Sequence, residues 1–116
     1  MSTTRLHAGP RMSQAVVHGD TVYLAGQVAQ NAPGESVADQ TRDILARIDS
    51  LLAEAGTDKS RALSATIWLA GMDTFEEMNA VWDAWVDPAN PPARACVEAR
   101  LARPQFTVEI AVIAAR

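Results

Sequence analysis

The last stretch of the chain, Phe106 to Ala115, constrains the fold more than any other segment. In an extended strand, Phe106, Val108, Ile110, Val112 and Ala114 share one face, and Ala111, Ile113 and Ala115 share the other. A strand that is apolar on both sides is buried on both sides. The remaining sequence carries helical patterning for two helices only, which can cover one face of a sheet. The second face needs another cover, and the simplest is a further copy of the same chain. A homo-oligomer is the expectation on this ground alone.

The elements that precede this strand are marked by turn and cap residues. Gln14–His18 and Thr21–Ala25 are β-like runs separated by the turn pair Gly19-Asp20, which predicts a hairpin. Asn31, Pro33 and Gly34 place a loop at 30–35. Ser36-Val37-Ala38-Asp39 has the spacing of a capping box, and Ile44, Leu45, Ile48, Leu51, Leu52 and Ala55 then line one helical face that Gly56 terminates. A strand follows at 63–70, with Leu63, Ala65, Ile67 and Leu69 on one side. Asp73 is the expected N-cap of a second helix whose stripe is Phe75, Met78, Trp82, Trp85 and Val86, ended by Pro88. Two strands, about 93–101 and 106–115, flank Pro104. The order is hairpin, helix, strand, helix, strand, strand. That order predicts an α+β sandwich over residues 1–116, with two helices on one face of a mixed sheet.

Composition removes several function classes. The 116 residues fit one domain, and 48% hydrophobic residues suffice for a core. The single cysteine allows no internal disulfide and no cysteine-rich zinc site. Only His7 and His18 could add imidazole ligands, so no metal is expected. A net charge of −4 and an aromatic content of 5% speak against nucleic-acid binding. No apolar run approaches the ~20 residues of a membrane span, and residues 1–11 lack a signal-peptide core. No membrane association and a cytoplasmic location are expected.

A few residues could carry chemistry. Strand alternation puts Arg94 and Cys96 on one face, roughly 7 Å apart. Arginine suits fork-like recognition of a carboxylate, although a sheet-edge arginine is often only a surface residue. A lone strand cysteine such as Cys96 is more often a small buried hydrophobe than a nucleophile. Glu109 is a single carboxylate inside an apolar strand; burial would raise its pKa and suit it to acid–base work, or it pairs with a charge at a subunit contact. Asn79, taken alone, reads as a solvated helix position. Gly26, at a strand end, permits close backbone approach. No phosphate loop, nucleotide fingerprint or nucleophile elbow is present.

Taken as an ordered set, these segments resemble the Rid/YjgF family of reactive-intermediate deaminases over nearly the whole chain. The residues that carry the resemblance are Gly9-Pro10 with Ser13-Gln14-Ala15-Val16, Ala25-Gly26-Gln27, Gln40-Thr41, Met72-Asp73-x-Phe75-x-x-Met78-Asn79, Pro92-Ala93-Arg94-Ala95-Cys96-Val97 and Val108-Glu109-Ile110. The resemblance implies a chorismate-mutase-like fold of the bacillus type and a homotrimer with sites at the subunit clefts. It implies hydrolysis of 2-imino acids, or enamines such as 2-aminoacrylate, to 2-keto acids and ammonia, with no cofactor. Arg94 would hold the substrate carboxylate and Glu109 would position or activate water. Gly26, Asn79 and Cys96 would line the pocket. The rim departs from the family at Arg11-Met12, Ala25, Trp82 and Trp85. Because of those departures, a non-catalytic trimer sensing a small carboxylate is the second expectation. The ribonuclease or translation-inhibitor activity assigned to some family members fits the acidic charge poorly.

Overall fold

The computed structural model describes residues 2–116. Seven strands form one mixed sheet: β1 (Thr3–Leu6), β2 (Ala15–His18), β3 (Thr21–Leu24), β4 (Gln27–Val28), β5 (Ala62–Leu69), β6 (Ala93–Glu98) and β7 (Val108–Ala115). The spatial order is β1-β2-β3-β7-β5-β6, and the short β4 also pairs with β7. Only β5 and β6 run parallel; the intervening helix α2 (Phe75–Trp85) makes that crossover. Helix α1 (Val37–Glu54) lies beside α2 on the same face of the sheet, packed against β7, β4 and β3. This is the expected α+β arrangement of two helices on one side of a mixed sheet.

Helix α1 forms where its caps and apolar stripe agree. The Ser36 hydroxyl accepts from Asp39 N at 3.1 Å. The Asp39 carboxylate turns to Arg42 at 2.8 Å rather than back to the cap, so the box is only half closed. Glu77 of α2 accepts from Ala38 N at 2.9 Å and caps a further free amide. At the other end Gly56 adopts φ +84°, with Gly56 N donating to Ala53 O and Thr57 N to Leu52 O, the Schellman pattern. Between the caps Ile44, Leu45, Ile48, Leu51 and Leu52 are buried. Full burial of such a side chain stabilises by about 1.5–3 kcal/mol.

Helix α2 begins differently from its predicted start. Met72–Thr74 form a 3₁₀ turn, so Asp73 lies inside the turn and does not cap the helix. The residue at the cap of α2 is Thr74, whose hydroxyl instead donates to Gly71 O at 2.7 Å. Met72 N is satisfied from another strand, by Glu98 Oε1 at 3.0 Å.

The two faces of the sheet differ sharply. Ala15, Val17, Val22, Leu24, Ala65, Ile67, Leu69, Val108, Ile110, Val112 and Ala114 all point under the helices and are buried. On the other face Glu109, Ala111, Ile113 and Ala115 of β7 are only half-buried, and Tyr23 and Val97 remain 47% and 46% exposed. Leu63, expected on one side with Ala65, Ile67 and Leu69, is 52% exposed, because a bulge between Ala62 and Ser64 takes it out of the alternation. The last two strands are shorter than expected, ending at Glu98 and starting at Val108. β1 and β4 have no counterpart in the sequence reading. β1 is an almost wholly exposed edge strand without an apolar side, and β4 is two residues long.

Candidate functional site

One half of the candidate site is built on the edge strand β6. Arg94 is paired with Ala65 and Cys96 with Ile67, so both point to the helix face. The Arg94 guanidinium carbon stands 5.3 Å above the Trp82 ring and 5.9 Å above the Phe75 ring. Such stacking holds a cation in place without consuming its N–H donors. Among the described residues no hydrogen bond or ion pair reaches Arg94, so its fork is free for an anion. Cys96 is half-buried against the core, and burial pushes its thiol up while Arg94 opposes this. The protonated thiol is a poor nucleophile. Asn79 is half-buried between the stacked residues, four after Phe75 and three before Trp82. Its Oδ1 is buried with no partner, which replaces the solvated position expected from sequence.

The other half lies on the opposite face. Glu109 is paired with Trp68 of β5 and Val28 of β4, and burial raises its pKa above the ordinary carboxylate value. No charged group offsets that cost. Gly26 closes the approach: a Cβ added there would overlap Glu109 Oε2 and stand 3.0 Å from Cδ. A side chain at this position would displace the carboxylate from where it lies. Thr107 sits two residues before Glu109 at the head of β7, and its Oγ1 is also buried without a partner. Sequence reading missed Thr107, although strand alternation places it on the face of Glu109.

The chain therefore brings Arg94, Cys96 and Asn79 together, and separately Gly26 and Glu109. It does not bring the two groups to each other. Arg94 is level with Ala65 and Glu109 with Trp68, two strands apart and three residues along β5, so the two leave opposite faces roughly 14 Å apart in the plane of the sheet. Three grooves of the isolated chain lie elsewhere. One of about 510 Å³ lies between His7 and α1, one of about 590 Å³ beside residues 98–106, and one of about 540 Å³ along α1 and α2. The expected rim is also divided. Arg11 and Met12 lie in an exposed turn and Ala25 adjoins Gly26. Trp82 supports Arg94, but Trp85 is committed to α1, donating to Asp49 at 3.1 Å with Lys59 Nζ 5.3 Å over its ring. Among the described residues no three His, Cys, Asp or Glu side chains converge as metal ligands, and no helix is long and apolar enough to cross a membrane.

A mixed sheet with two helices on one face and candidate groups on both describes a small α+β protein whose Arg94 and Glu109 do not meet within one chain. Comparison with known proteins identifies the class. The family model described as Endoribonuclease L-PSP matches residues 2–116. A RutC family protein of Haemophilus influenzae is 42% identical over 114 residues, covering 98% of each chain. The RutC family protein YoaB of Escherichia coli is 41% identical, covering 99% of each chain. A solved YjgF-family protein from Neisseria meningitidis superposes with a TM-score of 0.96 at 49% identity, over 100% of this chain and 96% of that one. The chain belongs to the Rid/YjgF family.

Proposed function

We propose that this protein is an enamine/imine deaminase that hydrolyses 2-imino acids of the 2-aminoacrylate/2-iminopropanoate type to 2-keto acids and ammonia. It would act as a homotrimer of chorismate-mutase-like form, with sites at the subunit clefts. The supporting observation is the pair of unpartnered ionisable groups, Arg94 stacked and free on one face and Glu109 desolvated on the other. Copies of the chain that cover the half-apolar open face would set Glu109 of one beside Arg94 of another.

In that cleft the Arg94 fork holds the substrate carboxylate and fixes C2 of the imine. The Glu109 carboxylate takes a proton from water as its oxygen adds to C2, giving a carbinolamine. That proton passes to nitrogen; Glu109 then takes the carbinolamine hydroxyl proton and delivers it to nitrogen as C=O forms and the C–N bond breaks, so that ammonia leaves with the keto acid behind. The imine carbon is already electrophilic, so orientation and proton transfer supply most of the acceleration, and no cofactor is needed. The raised pKa makes Glu109 a stronger base than an exposed carboxylate, with its acid limb shifted to higher pH. Asn79 Oδ1 and Thr107 Oγ1 are buried acceptors left without a partner beside the two groups. Cys96 lines the pocket as a neutral thiol.

The test is to release 2-aminoacrylate in situ with a dehydratase and follow keto-acid formation. Acceleration over buffer that disappears in Arg94→Ala is the expected result. No acceleration, or an unchanged Arg94→Ala variant, would sink the proposal. Tight 2-keto-acid binding by calorimetry without turnover would favour the carboxylate-sensing alternative.

A further inference from the structure

The link between β3 and β4 is held from both sides of the sheet. On the open face Gly26 lies against the Glu109 carboxylate. On the helix face Gln27 is 2% exposed and its side chain is engaged at both ends. Gln27 Nε2 donates to Gln14 Oε1 at 2.9 Å and to Ala25 O at 3.1 Å, and Gln27 Oε1 accepts from Arg47 Nε at 3.2 Å. Ala25 N donates to Gln14 O at 2.9 Å. Both polar groups of the Ala25 backbone are thus fixed, and the residues on either side of Gly26 are anchored.

Arg47 is the unusual member. It is half-buried on α1, yet among the described residues it has no acidic partner. Asp43, one turn earlier, is bound instead by Asn31 N at 3.1 Å and Asn31 Nδ2 at 3.4 Å. A charged guanidinium is spent on orienting a neutral amide. That use is intelligible if the orientation of the amide matters beyond packing.

We propose that Arg47, Gln27 and Gln14 form a positioning unit that acts through the Ala25–Gly26 link to keep the Glu109 carboxylate shielded and aimed along the open face. The inference rests on the proposed role of Glu109 as the base. Without the Arg47 donor, Gln27 Oε1 becomes a buried unsatisfied acceptor, the amide is free to turn, and Ala25 O loses its restraint. Gly26 then yields and water enters beside Glu109. The elements packed on Glu109 present Gly26, Val28 and Trp68, with Thr107 and Ala111 beside it on its own strand, so no titratable group there competes for the effect.

The experiment uses Arg47→Ala, Arg47→Lys and Gln27→Ala in the full chain. Turnover is measured against pH, and the Glu109 side-chain carboxyl is titrated by carbon-13 NMR. Arg47→Ala should lower the carboxyl pKa, move the acid limb of the rate profile down by the same amount, and reduce kcat about tenfold. KM, set by Arg94, should hold within about twofold. Arg47→Lys, which retains a donor, should recover most of both. Gln27→Ala opens a buried site and is read only if it folds; the Arg47 variants decide without it. An unmoved Glu109 titration in folded Arg47→Ala would overturn the proposal, whatever happens to melting temperature. A shifted titration in a protein that turns over no imine would leave the positioning unit standing and remove the proposed reaction.

Discussion

The two faces of the sheet are built from the same strands and serve different ends. On the helix-covered face Ile67, Ile110, Leu69 and Val108 are completely buried and need nothing from outside the chain. On the open face Ile113 and Ala111 are half-covered, Tyr23 is half-exposed, and Glu109 is desolvated without a charged partner. A face that served stability alone would not place a carboxylate in its centre. The difference teaches that the covered face secures the fold. The open face holds a desolvated carboxylate and half-covered apolar side chains that nothing in the chain covers, which is why the proposed function assigns it to contact with another copy.

Substitutions can break this contrast or sharpen it. The largest stability effect belongs to the covered face: Ile110→Ala should cost about 2–5 kcal/mol in chemical denaturation. Arg94→Ala should leave the melting temperature nearly unchanged, because the guanidinium rests exposed on its rings, while lowering kcat/KM for an imino acid by about a hundredfold or more. Ile113→Asp should shift sedimentation from the assembled to the single-chain species with the far-ultraviolet spectrum retained; an unchanged sedimentation coefficient would show that the open face is not the contact.

Smaller effects probe the titratable groups. The Glu109 pKa is raised in the fold, so its ionisation opposes folding. Its contribution to stability is greatest below the unfolded pKa of about 4.3 and declines as pH rises through the folded pKa. Glu109→Gln should therefore abolish turnover yet raise the melting temperature at pH 8, with no gain at pH 3. The smallest effect is expected at Cys96: its protonated thiol makes Cys96→Ala active within about threefold, and wild-type alkylation should be slower than that of a free thiol at pH 7.

Much of this division was legible in the residues, and the rest was not, for physical reasons. The two-sided apolar pattern of Phe106–Ala115 announced an uncovered face, and Ser36, Gly56 and Gly19 marked turns and caps through local geometry. Asp73 misled because Met72–Thr74 close into a 3₁₀ turn ahead of the helix, which leaves Thr74 at the cap position. β1 was invisible because Thr3, Thr4 and Arg5 form an exposed edge with no apolar side. Arg94, Glu109, Gly26, Asn79 and Cys96 could be named from the sequence pattern. That Arg94 and Glu109 leave opposite faces depends on the parallel register of β6 on β5, which no local signal encodes. The service of Gln27 and Arg47 behind Gly26 likewise appears only when β4 meets α1.

The division of the site between copies is tested most directly by mixing two inactive chains. Arg94→Ala retains Glu109, and Glu109→Gln retains Arg94. When the two are co-expressed with different tags and purified as mixed assemblies, clefts that draw Arg94 from one variant and Glu109 from the other are complete. Each mixed trimer has one complete cleft of three, so the purified mixed assemblies should recover about a third of wild-type turnover. Mixed assemblies that remain as inactive as either variant alone would contradict a site shared between chains.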